Sequence, residues 1–272
     1  MKREEIIVDG AKGFLGRGIS NFLSSQNFNI YKLSRFSEFD FDHSKKYTLV
    51  IATGRFDGTI DEIVGSNISR PLYVASKLKG CLSRIILLST GAVYGCSFDD
   101  LRSKEDDILS PIDIYSCSKI SIENLLRIYC DNSNIRLNIL RMPIVYGKDN
   151  LKGVIPSMLL SYFKNNYIKV FNAGRSIRDF LYIDDFMNAF FKVINYGQSG
   201  IFNISSDATY SMMDLAKIIS SNPEEIKIYN EKNNKLEKMS LDYTKAANIL
   251  NFKPSFNKIT REMLTKIYKN LK

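Results

Sequence analysis

Tyr115-Ser116-Cys117-Ser118-Lys119 sets a phenol and an amine four residues apart. On a helix that spacing puts both side chains on one face. An ammonium beside a phenol favours the phenolate, so the pair is expected to lower the tyrosine pKa and to act as a general acid/base near neutral pH. The chain has need of such a pair, because it holds one histidine, His43. A single histidine excludes paired-histidine metal motifs and leaves serine or cysteine triads only if His43 itself serves. His43 follows a predicted strand and reads as a surface turn. The Tyr-Lys spacing recurs at Tyr73–Lys77 and at Tyr268–Lys272. Only Tyr115 comes after a predicted strand that ends in hydroxyls, Ser89-Thr90. Thr90 can hydrogen-bond the substrate oxygen that Tyr115 protonates.

A second group of residues can hold a nucleotide. Gly10-Ala11-Lys12-Gly13-Phe14-Leu15-Gly16 is a GxxGxxG run between a predicted strand and a predicted helix. The first glycine turns the chain, the next lets the backbone approach a pyrophosphate, and the third packs helix against strand. The helix N-terminus then offers unpaired N–H groups and a partial positive charge. The second strand ends in Leu33-Ser34-Arg35, with no carboxylate to hold a ribose 2′-hydroxyl. Arg35 can fork onto a 2′-phosphate and Ser34 can donate beside it, which favours NADP over NAD. Asp40-Phe41 stands where a third strand should end and would meet the adenine. Lys119 can also hold the nicotinamide ribose.

The elements that position these residues alternate. Strands are expected at Ile6–Val8, Asn29–Leu33, Leu49–Ala52, Ile85–Leu88 and Leu137–Leu140. Helices are expected from the glycine run to about Ser25, over Asn67 to Lys79, and from a Ser110-Pro111 start to about Cys130. Such alternation implies a Rossmann-type, doubly wound parallel sheet whose strand C-termini share one ligand-binding edge. After Gly147 the rhythm changes. Helices are expected over Ile155–Lys164, Asp184–Asn195 and Ser211–Ser220, the last with Ser211 as cap and Asp214 answering it. Strands are expected at Ile168–Phe171 and Ile201–Ile204, and Asn230 to Lys238 reads as a loop. We expect a nucleotide domain over 1–148, with 183–197 packing back on it, and a smaller substrate-binding lobe over 149–272.

Composition narrows the class. With 272 residues, 44% of them hydrophobic and 25% charged, the chain can bury a full core and need not be disordered. A net charge of +9 favours acidic partners, phosphorylated small molecules among them, but the basic residues are scattered rather than blocked. The four cysteines, Cys81, Cys96, Cys117 and Cys130, show no CxxC spacing and read as free thiols. No metal site is expected. The N-terminus lacks the apolar core of a signal peptide, and no apolar run reaches membrane-spanning length, so a cytoplasmic protein without membrane contact is expected.

GAKGFLG, STGAVYG (Ser89–Gly95), YSCSK, RMPIVYG (Arg141–Gly147) and RDFLYIDD (Arg178–Asp185) occur in an order that resembles the extended short-chain dehydrogenase/reductase family, and within it the nucleotide-sugar epimerase/dehydratase branch. The resemblance covers Ile6 to about Pro254. It implies that Gly10, Gly13, Phe14, Leu15 and Gly16 hold the cofactor pyrophosphate. It implies further that Ala52, Thr53 and Gly54 line the nicotinamide-side ribose, and that Asn67, Ser89 and Pro143 also belong to the cofactor site. Thr90, Tyr115 and Lys119 would be catalytic. Thr90, Gly91, Ala92 and Tyr115 would face the substrate, and Arg178 would fork onto its nucleotide diphosphate unless Asp179 or Asp184 takes it. A homodimer through the helices at Asn67–Lys79 and Pro111–Cys130 is also implied.

Departures from the family pattern narrow the chemistry. Its 4,6-dehydratases carry Asp-Glu after the catalytic threonine, whereas Gly91-Ala92 stands here. Members that also epimerise carbon centres use an added cysteine and histidine, which Ala92 and the lone His43 do not supply. The usual asparagine of the RxxNVYG stretch is Ile144. The expectation is an NADP-dependent reductase of a 4-keto group on a nucleotide-activated (deoxy)sugar. The alternatives are a nucleotide-sugar 4-epimerase that retains NAD(P), and a non-catalytic NADP-binding protein that contacts nucleic acid. An intact Thr90/Tyr115/Lys119 set argues against the last.

Overall fold

The computed structural model describes residues 5–34, 41–96, 101–229 and 237–271. They form two compact units. One is built from described residues within Met1–Gly95, Ile108–Arg141 and Phe190–Phe202, the other from those within Cys96–Asp107, Met142–Ala189 and Asn203–Lys272. The segment 190–202 returns to the first unit after 142–189.

In chain order the elements are β1 (Glu5–Asp9), α1 (Phe14–Ser25), β2 (Asn29–Leu33), β3 (Tyr47–Ile51), α2 (Ile60–Val64), α3 (Arg70–Lys77), β4 (Leu82–Thr90), α4 (Ile114–Ser133) and β5 (Arg136–Met142). Then come β6 (Ile144–Tyr146), α5 (Val154–Asn165), β7 (Ile168–Phe171), β8 (Ile177–Tyr182), α6 (Ile183–Tyr196), β9 (Gly200–Asn203), β10 (Ala208–Ser211), α7 (Met212–Ile219), β11 (Ile226–Tyr229), β12 (Lys238–Met239), α8 (Thr244–Leu250) and α9 (Arg261–Lys269).

The first unit carries a six-stranded sheet of order β2-β1-β3-β4-β5-β9. β1 pairs parallel with β2 and with β3, and β3 pairs parallel with β4. The chain winds outward from β1 to β2 and then returns to β3 on β1's other side. That reversal opens the crevice at the C-terminal ends of β1 and β3 where ligands of such sheets bind. All five residues of β3 are buried, because helices cover both faces of a parallel sheet. Leu49, Ile51 and Leu87 of the sheet close against Val74 and Leu78 from α3 and its C-terminal end, and against Ile122 and Leu126 of α4.

Three expectations change here. Phe41 does not end a third strand; β3 begins at Tyr47, and Phe41 is buried in the core, edge-on to Tyr31 and 5.5 Å from the Tyr47 ring. Its partner in that expectation, Asp40, lies outside the described residues. The helix expected from Asn67 starts at Ile60. Thr59 caps it, exchanging hydrogen bonds with Glu62, and one π turn, Gly65–Ser69, joins α2 to α3. The helix expected after Ser110-Pro111 starts at Ile114, where the Asp113 carboxylate accepts the Ser116 N–H in a reciprocal cap. Ser110 donates instead to the Val93 carbonyl. Its own carbonyl lies so close to Gly95 (φ 77°) that a Cβ there would sit 2.2 Å away.

In the second unit β8 pairs antiparallel with β10 and parallel with β6 and β12, and β7 pairs parallel with β11. Tyr146, Phe180, Leu215 and Leu264 sit in its core. Ser211 caps α7 and Asp214 reciprocates, as the sequence pattern implies. The short strands β6, β8, β10, β11 and β12 and the helices α8 and α9 went unread in the sequence. Among the described residues no helix is long and apolar enough to cross a membrane.

Candidate active site

The glycine run is a tight strand-turn-helix passage. Gly10 has φ 89°, and a Cβ on it would lie 2.8 Å from the Ala52 carbonyl carbon and the Thr53 nitrogen. A Cβ on Gly16 would lie 2.2 Å from the Gly10 oxygen. Any side chain at either place would push α1 off β1 and β3. Gly13 is the cap residue of α1 and brings no side-chain acceptor to the first-turn N–H groups of Phe14, Leu15 and Gly16. Phe14 and Leu15 are half-exposed and Gly16 is buried, and the N–H groups of this first turn suit the diphosphate of a dinucleotide. Across the crevice, Thr53 has a buried hydroxyl with no hydrogen-bond partner, and a Cβ on Gly54 would meet Lys119 Nζ at 3.3 Å. An unfilled hydroxyl, a bare helix N-terminus and a lysine at the ends of β1 and β3 fit a nicotinamide dinucleotide.

Tyr115, Lys119 and Thr90 come together beside that crevice. Thr90 ends β4, and its hydroxyl accepts the Ala92 N–H at 3.2 Å. Thr90 and Tyr115 share a side-chain hydrogen bond. Lys119 is buried on α4; its Nζ lies 6.0 Å from the centre of the Tyr115 ring and donates to the carbonyls of Thr53 and Leu88, each at 3.1 Å. The charge states differ from the sequence expectation. Burial pushes the Tyr115 phenol up to about 12, against the downward pull of its bond to Thr90. Burial also brings Lys119 down to about 8, opposed by the negative charge of Glu123. The spacing suggested an ammonium that lowers the phenol. In the fold, desolvation outweighs it.

The remaining expected cofactor residues are partly spoken for by the protein itself. Ser34 is half-buried and gives its carbonyl to Arg70 at 3.0 Å, while Arg35 lies outside the described residues. The Asn67 amide, buried in the π turn, accepts the Arg55 N–H at 2.7 Å and donates to the Arg55 carbonyl and the Ser118 hydroxyl, each at 2.9 Å. It ties the loop after β3 to α4. The Ser89 hydroxyl donates to Glu123. Pro143 sits between β5 and β6, and Gly91 and Ala92 open the single 3-10 turn Gly91–Tyr94.

Sequence reasoning missed the charges that brace this region. Asp9, fully buried at the end of β1, forms an ion pair with Arg70 at 2.9 Å, and its burial raises its pKa. Glu123 and Arg141 form a second pair at 2.8 Å. The signal for Glu123 was available: it continues the 115–119 spacing by one more turn of the same helix face. Nothing local signals Asp9–Arg70, which joins residues 61 apart in the chain.

Arg178 belongs to the second unit. Its guanidinium donates to Glu237 at 2.9 Å and to the carbonyls of Ile177 and Glu237 at 2.9 and 3.0 Å. Neither Asp179 nor Asp184 is its partner. Asp179 instead accepts from the Ser205 hydroxyl and the Leu241 N–H, and burial raises it to about 6. Among the described residues no group of three or more acidic, histidine or cysteine side chains is placed to hold a metal ion.

A model of the NAD dependent epimerase/dehydratase family matches residues 58–205. The chain is 27% identical over 259 residues to dTDP-4-dehydro-6-deoxyglucose reductase of Escherichia coli, covering 80% of this chain and 81% of that enzyme. It is 32% identical over 150 residues to dTDP-D-glucose 4,6-dehydratase of Dictyostelium discoideum, covering 51% of this chain and 35% of the relative's length. Among solved structures, UDP-glucuronic acid 4-epimerase from Bacillus cereus, in complex with UDP-glucuronic acid and NAD, superposes with a TM-score of 0.82 at 19% identity over 98% of both chains. UDP-glucose 4-epimerase from Thermotoga maritima gives 0.82 at 21% identity, again over 98% of both. At such identities the likeness establishes a shared Rossmann-type fold.

Proposed function

The chain belongs to the NAD-dependent epimerase/dehydratase family, and on that premise we propose that it is an NADP-dependent oxidoreductase that reduces the 4-keto group of a nucleotide-activated (deoxy)sugar. The observation that carries this is the convergence of Tyr115, Thr90 and Lys119 beside the glycine turn, all in one unit. Gly10, Gly13 and the first turn of α1 would hold the cofactor diphosphate, and Thr53, Gly54 and Lys119 its nicotinamide ribose. Bound there, the dinucleotide supplies the hydride.

The chain's own residues handle the proton. With its phenol raised to about 12, Tyr115 is fully protonated at neutral pH and is an acid in waiting. It gives its proton to the substrate oxygen as that oxygen gains negative charge, and Thr90 stabilises the phenolate left behind. The Lys119 ammonium lowers the cost of that phenolate at the moment it forms. Gly91-Ala92 offers no acid or base for a water elimination, which is why a reductase is favoured over a dehydratase. Leu33-Ser34-Arg35 supports NADP, since no carboxylate stands there to take a ribose 2′-hydroxyl. Arg178 is the candidate for the substrate diphosphate.

A homodimer is part of the proposal, with α3 and α4 as the facing helices: Tyr73, Leu125 and Ile128 are exposed on them. Sedimentation equilibrium tests it. A cytoplasmic location is proposed on the four free thiols. The deciding experiment is NADPH oxidation with dTDP- and UDP-linked 4-keto-6-deoxyhexoses. Steady consumption is expected. A tightly retained, unconsumed dinucleotide with interconversion of 4-epimers would move the assignment to a 4-epimerase, and turnover of none of these sugars would sink both.

A further inference from the structure

Beneath the three reacting side chains lies a set of buried polar groups that the proposed reaction does not use. Glu123 and Arg141 are 1% and 2% exposed. Arg141 Nη2 donates to Glu123 Oε2 at 2.8 Å, and its Nε reaches both carboxylate oxygens at 3.3 Å. Arg141 Nη1 donates to the Tyr94 hydroxyl at 2.8 Å, with the guanidinium 5.0 Å from the centre of that ring. The Ser89 hydroxyl completes the carboxylate. Four elements meet in this cluster: Ser89 at the end of β4, Tyr94 on the turn after it, Glu123 on α4 and Arg141 on β5. Each is a short step from the chemistry. Ser89 precedes Thr90, Tyr94 closes the turn that Thr90 caps, and Glu123 is one helical turn beyond Lys119.

A buried ion pair costs several kcal/mol of desolvation per ion, so stability alone is weak grounds for keeping one. Its placement gives the better reason. Lys119 shares its helix with Tyr115 and Glu123, and its Nζ donates to the carbonyls of Thr53, in the loop after β3, and of Leu88, on β4. Arg141 and Tyr94 stand behind Glu123. Among the described residues Glu123 is the carboxylate whose charge acts on Lys119, one helical turn away, and Arg141 fixes where it points.

We infer that Glu123 and Arg141 are positioning residues for this site: Glu123 is the internal counter-charge of Lys119, and Arg141 holds it there while tying β4, α4 and β5 at their catalytic ends. This deepens the proposed function and rests on Tyr115 and Lys119 acting as described. Glu123→Gln keeps the shape and leaves Arg141 bonded, but removes the negative charge. Arg141→Met removes the guanidinium that pairs with Glu123. The double variant Glu123→Met/Arg141→Met removes both charges and is the well-folded control where Arg141→Met does not fold.

The test reads the titration of Lys119 directly, by NMR of protein carrying ¹³Cε-lysine, with Lys119→Met identifying the resonance. The wild-type side chain is expected to titrate near 8. Glu123→Gln is expected to move the midpoint down by about half a pH unit or more, and Arg141→Met to move it up. Opposite signs from two cavity-neutral or near-neutral changes are not what a purely structural brace produces. Coincident midpoints in wild type and Glu123→Gln would overturn the inference. Because no substrate is needed, this failure is separable from that of the function. Coincident midpoints beside an inactive Tyr115→Phe would remove the inference alone; Tyr115→Phe turning over at the wild-type rate would remove the function and this inference with it.

Discussion

Tyr73 with Lys77 on α3 and Tyr115 with Lys119 on α4 are the same two residue types at the same helical spacing. Their geometry is nearly the same as well, with the ammonium 5.6 Å from the ring centre in the first pair and 6.0 Å in the second. Their surroundings are opposite. Tyr73 is 50% exposed, whereas Lys119 is 3% exposed and enclosed by β3, β4 and Glu123. In water the first pair is a weak cation–ring contact on a helix surface. In the second, desolvation drives the phenol up to about 12 and the amine down to about 8. Spacing makes the pair; burial moves its two pKa values.

The comparison can be pushed hardest through the hydroxyl itself. Tyr115→Phe is expected to lower turnover by about 10³-fold, within the usual range for a general acid. Dinucleotide binding, followed by cofactor fluorescence, should hardly change. A smaller effect of opposite character follows at Lys119. Its folded pKa, about 8, lies below the ordinary 10.5, so the unfolded chain binds more protons between these values and stability should rise with pH across that window. Lys119→Met is expected to abolish that rise and, by removing a buried ammonium, to stabilise the fold at pH 7 by on the order of 1 kcal/mol while activity is lost. Urea unfolding at a series of pH values measures both.

The helix start offers a third handle. Asp113→Ala removes the cap that aims the first turn of α4, and should cost about 1 kcal/mol in denaturant unfolding. An equivalent loss in turnover would show that the pair depends on how its helix begins. In the other unit, Glu237→Gln should release Arg178 from a partly exposed ion pair. Stability should change by less than about 1 kcal/mol. Calorimetry should find nucleotide diphosphate bound several-fold more tightly, and several-fold more weakly in Arg178→Ala; unchanged binding in both would take Arg178 out of the substrate site. The smallest effect belongs to the surface pair. Tyr73→Phe should leave turnover within about twofold and stability within about 0.5 kcal/mol.

Much of this was legible beforehand because it is local. The glycine run, the strand–helix alternation over β1 to β5 and the reciprocal cap at Ser211 each follow from a few neighbouring residues, and each stands in the structure. The α4 start was misread because Ser110-Pro111 and Asp113 both carry start signals. Asp113 prevails because Ser116 can answer it, while Ser110 is taken by the turn after β4. Phe41 was misplaced because it lies outside β2 and β3, and its ring joins the core beside Tyr47.

The sequence by itself determined which residues could do the chemistry. A phenol, an amine and a hydroxyl had to serve in a chain with one histidine, and a glycine run had to bring a helix N-terminus against a strand. Only the tertiary structure decided that, of the pairs on α3 and α4, it is the lysine of the second that is buried, and with what shift. It also decided that the Arg178 guanidinium pairs with Glu237 rather than with Asp179 or Asp184, and that Glu123, unremarked in the sequence, pairs with Arg141. The physical reason is range. Caps, turns and side-chain spacing are settled within a few residues, whereas desolvation and buried charge depend on what distant strands bring alongside.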